Sequence, residues 1–129
     1  ETGRAVFDRW INTCDFPVLG ANIIDTSTGE PHLPPYKVME RDGVKIVILG
    51  MITPAIPAWL SENLWKGLRF DDMEETARKW MKIIREKENP DLMIGLFHAG
   101  QEAFKIPGFD IVLMGHDHAR ECKKVMNVA

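Results

Sequence analysis

Three short apolar runs constrain the fold of this chain more than any other feature of its sequence. They are KIVILGMI at 45–52, DLMIGLF at 91–97 and DIVLM at 110–114. All three are predicted to be strands, and the near-continuous first run is typical of a strand that a sheet buries on both faces. Between the first two, apolar residues recur at helical spacing from Asp71 or Asp72, which can cap the helix, to Asn89-Pro90, which ends it. The alternation of strand and helix predicts an α/β fold.

The first half of the chain is predicted to contain a helix, a strand and a hairpin. Residues Arg4–Cys14 carry one apolar stripe at helical spacing, and Val18–Ile24 has the composition of a buried strand. An Asp-Gly pair at 42–43 separates two strand-like stretches, Tyr36–Arg41 and Val44–Ile52, and such a pair is a strong hairpin signal. Residues 53–67 contain two prolines and two tryptophans and are expected to be irregular.

The connection between the last two predicted strands is unusually short. Only residues 98–109 separate Phe97 from Asp110, and they include Gly100, Pro107 and Gly108. A crossover between parallel strands normally needs about a dozen residues or more, usually with a helix. Either this connection is tight, or residues are missing between Gly100 and Pro107.

Composition restricts the function classes open to the chain. With 129 residues and 45% hydrophobic residues, it can bury one compact core. A net charge of −3 argues against a nucleic-acid polymer as partner, because such partners usually need a clustered basic face. No apolar run is long enough for a membrane span. Cys14 and Cys122 form no CxxC pair, so we expect two buried or free thiols.

Three of the four histidines follow the apolar runs. His98 comes after the second run, and His116 and His118 come after the third, within Gly-His-Asp-His. Functional groups collect at the carboxyl ends of strands in open α/β sheets, and residues two apart in extended backbone face the same side. Imidazole suits Zn, Mn or Fe, and Asp117 could orient a ligating ring. From the residues alone, a metal site and structural histidines remain open alternatives. His32, between prolines, is expected to be exposed.

Motifs around these histidines resemble those of a known enzyme family. FHAG at 97–100 and PGFDIVLMGHDH at 107–118 are similar to the last two motifs of the 5′-nucleotidase family of calcineurin-like metallophosphoesterases, which includes 2′,3′-cyclic-nucleotide 2′-phosphodiesterases. The segments at 16–23, 27–30 and 45–53 also match in the right order. The resemblance implies an α/β fold of the metallophosphoesterase type, a mixed β-sheet sandwich flanked by helices. Residues 1–129 would form the C-terminal portion of that catalytic domain, hence a partial domain.

The same resemblance implies a site and a substrate class. His98 and His116 would bind one of two divalent metal ions (Zn, Mn, Fe or similar), and His118 would bind the other. The substrate would be a nucleotide or cyclic nucleotide, and the location periplasmic, secreted or at the cell surface. The family's Asp-x-His, Gly-Asp and Gly-Asn-His motifs, which include the histidine that acts on the leaving group, would precede residue 1. The nucleotide-binding domain would follow.

Several expectations follow from a partial domain. The chain carries no catalytic residue besides the metal ligands, so the isolated piece is expected to bind metal weakly and to be inactive. Exposed strand edges or an exposed apolar face could drive self-association. Two alternatives remain: a non-catalytic α/β module that binds a metal or a partner, and a relative that acts on another phosphoester such as a UDP-sugar or on a sulfur-oxidation intermediate.

Overall fold

The computed structural model describes residues 3–122, apart from the side chain of Glu102, as a mixed α/β structure. The helices are α1 (Arg4–Ile11), α2 (Ile56–Trp59), α3 (Glu62–Trp65) and α4 (Met73–Glu88), with a 3-10 helix at Gln101–Lys105. The strands are β1 (Ile23–Asp25), β2 (Tyr36–Arg41), β3 (Val44–Ile52), β4 (Leu68–Phe70), β5 (Leu92–His98) and β6 (Ile111–Gly115).

A four-stranded mixed sheet in the order β2-β3-β5-β6 forms the centre of the structure. The hairpin of β2 and β3 is antiparallel, and its turn residues Asp42 and Gly43 have φ of 51° and 80°. Positive φ at both turn positions is the geometry that an Asp-Gly pair favours. Strands β3, β5 and β6 run parallel. The predicted hairpin and the α/β class are therefore confirmed.

Helix α4 covers one face of this sheet. Val47 and Leu49 of β3 and Ala77 and Ile84 of α4 are completely buried, in the same core cluster as Phe97. Their alternation along the strand and their helical spacing along α4 explain why these elements pack through these faces.

The predicted ends of α4 are confirmed. At its start, the Asp72 carboxylate accepts a hydrogen bond of 2.9 Å from the Glu75 backbone N–H. At its end, Asn89 adopts a left-handed conformation, and the Lys45 ammonium donates to the Glu88 carbonyl over 2.6 Å. Both ends satisfy backbone groups that a helix leaves unpaired.

The other face of the sheet is open at β5 and β6. Leu96 is 47% exposed and Leu113, its cross-strand partner, 52%. Ile111, next to Ile94, is also exposed. An open apolar face agrees with the expectation of a partial domain, whose sheet lacks the second sheet of a sandwich.

The expected strand Val18–Ile24 is largely wrong. Only its end is extended, where β1 (Ile23–Asp25) pairs antiparallel with β4, a strand that was not predicted. The cause is a turn in which the Ile23 N–H donates to the Gly20 carbonyl, while the Ala21 N–H donates to Gly50 of β3. Residues 20–22 therefore cross the edge of the central sheet instead of joining it.

Helix α1 is also shorter than the predicted Arg4–Cys14. It ends at Ile11, and the Thr13 hydroxyl then donates to the Trp10 carbonyl over 2.7 Å. Serine and threonine hydroxyls that bond nearby carbonyls in this way compete with the helical hydrogen bonds and favour a helix end.

The short connection between β5 and β6 forms without an α-helix. The 3-10 helix Gln101–Lys105 supplies its only regular structure, and Ala103 and Ile106 anchor it in the core. The two strands still pair in parallel, so this sequence can make the tight connection.

Two further findings concern the cysteines and the lengths of the helices. Cys14 and Cys122 are both free. Within residues 3–122, no helix is both long and apolar enough to cross a membrane.

The expectation of an exposed His32 is wrong. Its side chain is only 16% exposed, because it lies between two carboxylates: its Nε2 is 2.7 Å from Asp8 Oδ1, and its Nδ1 is 3.8 Å from Asp25 Oδ2. Arg4 binds the same Asp25 carboxylate. This charged cluster joins α1 to the end of β1. Its residues are distant in sequence, so the sequence around His32 alone could not predict these contacts.

Stability should depend on pH through Asp25. Hydrogen bonds from the Ser27 hydroxyl and backbone N–H, followed by that from Arg4, hold the pKa of Asp25 well below its ordinary value. A carboxyl whose pKa is lower in the folded state stabilises the fold above its unfolded pKa of about 3.9, and this contribution is lost as the pH falls below that value. We therefore expect Asp25→Asn to lower the free energy of unfolding at neutral pH and to have a smaller effect in acid.

Urea unfolding of Asp25→Asn and of the unsubstituted chain, from about pH 7 down to about pH 3, measures this difference. Asp15→Asn, on an exposed carboxylate outside the cluster, is the control and should change little at any pH. A loss for Asp25→Asn that stays constant over the whole range would contradict the prediction.

Candidate metal centre

Two of the three predicted histidines meet at one end of the central sheet. His98 is the last residue of β5 and pairs with Gly115, so His116 follows directly at the same edge. The centroids of the two imidazole rings are 5.2 Å apart, with an angle of 74° between the ring planes. Parallel strands end at the same edge, which is why residues far apart in sequence meet here.

The backbone around His116 is not extended, contrary to the expectation from the sequence. His116 has φ of 111° and His118 has φ of 53°, which are both unusual for residues other than glycine. The alternation of an extended strand therefore does not decide where these two side chains lie. Both nevertheless line one cleft of about 360 Å³, together with Asp117. Backbone in sparsely populated regions is concentrated at functional sites.

Gly115 permits the close approach of the two strand ends. A Cβ at this position would lie 3.4 Å from His98 Nδ1, which is tighter than most side-chain contacts. A larger residue would therefore press on the His98 ring, so the glycine before His116 has a steric reason to be there.

The geometry of His98 and His116 fits a shared metal ion. An ion bound about 2.1 Å from one nitrogen of each ring, at a near-tetrahedral angle, would place the ring centroids about 5 Å apart. The observed separation is 5.2 Å. In the part of the chain from residue 3 to 122, no third His, Cys, Asp or Glu completes a group that could hold an ion. His118 is exposed and stands apart from this pair. Among residues 3–122, this end of the sheet thus offers two adjacent imidazoles that could hold one ion.

A buried asparagine holds the strand end beside His98. The Asn22 side chain is completely buried. Its Nδ2 donates to the Ile52 carbonyl over 2.6 Å and to the Asp71 carbonyl over 3.0 Å, and its Oδ1 accepts from the Ile52 N–H over 3.0 Å. Ile52 pairs directly with His98. Sequence analysis missed Asn22, although a polar residue within the apolar run at 18–24 was a signal that the run is not a regular strand.

The segment after β3 contacts both His98 and His116. The Thr53 N–H donates to the His98 carbonyl over 2.9 Å, and the Thr53 hydroxyl accepts from the Ala55 N–H over 3.3 Å. This turn starts α2, in the stretch that was expected to be irregular. The last residue of α2 is Trp59, whose indole stacks on the His116 ring with centroids 5.2 Å apart and planes 11° apart. No periodic pattern in the sequence pointed to this contact.

Curated relatives match most of the chain, whereas no protein-family model matches it. The 2′,3′-cyclic-nucleotide 2′-phosphodiesterase/3′-nucleotidase of Yersinia enterocolitica is 32% identical over 127 residues, which cover 81% of this chain and 19% of the relative. The 5′-nucleotidase of Vibrio cholerae is 29% identical over 137 residues, covering 93% and 24%. The chain therefore spans about a fifth to a quarter of the length of these relatives.

A solved structure shares the fold. The calcineurin-like phosphoesterase YfkN of Bacillus subtilis superimposes with a TM-score of 0.77 at 28% identity, over 91% of this chain and 42% of that one. The fold class predicted from the sequence is thus confirmed, including its partial character.

The matched lengths bear on the short connection between β5 and β6. A 127-residue match that covers only 81% of a 129-residue chain must include residues that the Yersinia relative has and this chain lacks. That the gap falls between Gly100 and Pro107 remains a prediction.

Proposed function

Because the chain is similar over most of its length to the 5′-nucleotidase and cyclic-nucleotide phosphodiesterase family of calcineurin-like phosphoesterases, we propose that it supplies part of a two-metal site that hydrolyses nucleotide phosphoesters. The observation that carries this proposal is the juxtaposition of His98 and His116 at the ends of two parallel strands. Histidines that merely support a core would not need to meet at an exposed sheet edge.

Each histidine has a proposed role. His98 and His116 would hold one ion, and His118, which lines one cleft with His116, would bind the second. When bound, paired divalent ions stabilise charge on a phosphate and lower the pKa of water. The chain itself positions the first two imidazoles through the pairing of β5 with β6, and Gly115 leaves room for their approach. Asp117 is a candidate acceptor for the ring N–H that a ligating imidazole leaves free.

Residues 1–129 would be the C-terminal portion of the catalytic domain. The resemblance assigns the remaining metal ligands and the leaving-group histidine to a preceding segment, and the nucleotide-binding domain to a following one. Two observations support this division: a pair of adjacent histidines with no third donor among residues 3–122, and an apolar sheet face of the same residues that includes Leu96 and Leu113 without a covering sheet. By the same resemblance, the complete polypeptide would act in the periplasm or at the cell surface.

Hydrolysis of two esters tests the proposal directly, measured as phosphate release from the monophosphate and as formation of a nucleoside monophosphate from the cyclic nucleotide. Both the 129-residue chain and the complete polypeptide would be assayed with a nucleoside 5′-monophosphate and a 2′,3′-cyclic nucleotide, with Mn²⁺ or Zn²⁺ and then with a chelator. We expect hydrolysis by the complete polypeptide only, and its loss on chelation. Metal-dependent hydrolysis by the chain alone would refute its expected inactivity. No hydrolysis of either ester by the metal-loaded complete polypeptide would refute the assignment.

One observation favours a second candidate, a non-catalytic module that binds a metal or a partner. Among residues 3–122, no third donor accompanies His98 and His116. The metal content of the complete polypeptide, purified without chelators, separates the two functions: about two ions per molecule support the hydrolase, and one or none supports the module.

A further inference from the structure

We propose that Trp59 is a positioning residue that holds the His116 imidazole in the orientation in which it faces His98. The inference rests on the proposed function, because it concerns a ring to which that function assigns a metal. Trp59 itself touches neither a substrate nor an ion in this assignment. It acts through His116.

The contact has the geometry of an aromatic stack. The planes of the indole and the His116 imidazole are nearly parallel, with an angle of 11° between them and 5.2 Å between ring centroids. The His98 ring meets the same imidazole edge-on, at an interplanar angle of 74°. Rotation of the His116 ring about its χ2 bond would break the stack on one face and the edge contact together. Offset stacks and edge-to-face contacts are the arrangements that aromatic pairs prefer.

Backbone hydrogen bonds anchor the segment that carries Trp59. Its side chain is 55% exposed, so the hydrophobic effect alone does not explain where it points. The bond from the Thr53 N–H to the His98 carbonyl joins the start of this segment to the end of β5. The helix that follows is closed by the Leu60 N–H, which donates to the Ile56 carbonyl over 3.0 Å. The strand end that carries His98 thus also anchors the segment that carries Trp59.

Positioning matters here because the His116 backbone is unusual. A φ of 111° is rare for a residue other than glycine, and such a conformation persists only where surrounding contacts hold it. The stack on Trp59 is one of the contacts that hold His116. Loss of one aromatic stack should lower the affinity of the site for an ion by about 2- to 10-fold.

Two variants of the full chain, Trp59→Leu and Trp59→Phe, test this role. Trp59→Leu removes the stack while keeping an apolar side chain, and Trp59→Phe keeps a smaller ring. The matched control is Trp65→Phe, in α3, which alters a tryptophan that packs on Phe70 instead.

The first measurement needs no metal. Because the His116 ring stacks on the indole, the NMR signals of its ring protons should be shifted upfield in the unsubstituted chain, and His116→Gln identifies those signals. We expect Trp59→Leu to remove the upfield shift, Trp59→Phe to keep part of it, and Trp65→Phe to keep all of it. An unchanged His116 signal in Trp59→Leu would overturn the inference.

The second measurement is the affinity for Zn²⁺, from competition with a chelating dye. It should fall about 2- to 10-fold in Trp59→Leu and recover in Trp59→Phe. If His116→Ala abolishes Zn²⁺ binding but Trp59→Leu leaves it unchanged, the role of Trp59 is wrong and the metal site stands. If His116→Ala leaves the affinity unchanged, the ligand assignment fails, and the role of Trp59 at that site fails with it.

Discussion

Replacement of His116 by alanine is expected to lower kcat/KM for nucleotide phosphoester hydrolysis by the complete polypeptide more than about 100-fold. Substitution of a residue that only orients a metal ligand typically costs about 10- to 100-fold in activity or metal affinity, and the loss of a ligand should cost more. His98→Ala should have an effect of the same size. The measurement is steady-state hydrolysis at a fixed Mn²⁺ or Zn²⁺ concentration, together with the bound metal per molecule.

The double variant sharpens this prediction. If His98 and His116 hold the same ion, removal of the second ligand from a site that has already lost the ion costs little more, so the two effects should be far from additive. The loss in the double variant should stay close to that of the larger single variant. Fully multiplied losses would contradict a shared ion, although not the enzyme assignment itself.

His32 provides the matched control. It is a half-buried histidine of the same chain, but it lies in the cluster with Asp8 and Asp25 and lines none of the site. His32→Gln should leave kcat/KM per folded molecule unchanged. A comparable loss in His32→Gln would show that the histidine substitutions act by unfolding the chain.

Replacement of Asn22 by alanine is expected to destabilise the fold by about 2–4 kcal/mol. The substitution removes three hydrogen bonds at a completely buried position. It leaves both backbone groups of Ile52 without this partner, and each unpaired buried group costs about 1–3 kcal/mol, with partial relief from relaxation. The measurement is the midpoint of urea unfolding at constant slope.

Asn63→Ala is the matched control, because Asn63 is exposed in α3. It should change the free energy of unfolding by less than about 0.5 kcal/mol. Hydrogen exchange adds a local test: the amide of Ile52 should lose protection in Asn22→Ala before the centre of β3 does. Equal stability of Asn22→Ala and Asn63→Ala would refute the structural role of Asn22.

The predicted elements that proved correct were those with a local cause. Asp72 can cap a helix through its own side chain, and the Asp-Gly pair at 42–43 favours one turn type whatever surrounds it. The strand Val18–Ile24 was predicted from composition, and composition alone does not determine whether a segment forms a strand. Its segment is held by bonds to Gly50 and by the Asn22 side chain, and these partners lie elsewhere in the chain.

The sequence by itself determined the four strands of the central sheet, that histidines follow two of them, and which family the motifs resemble. Only the tertiary structure decided that His98 and His116 meet, because that depends on β5 pairing with β6 in one register. It also decided that β5 and β6 leave one face open. The stack of Trp59 on His116 likewise has no local signal, since it joins the last residue of α2 to the residue that follows β6. The sequence shows that the three histidines are present, whereas their arrangement depends on strand pairing between residues that are distant in sequence.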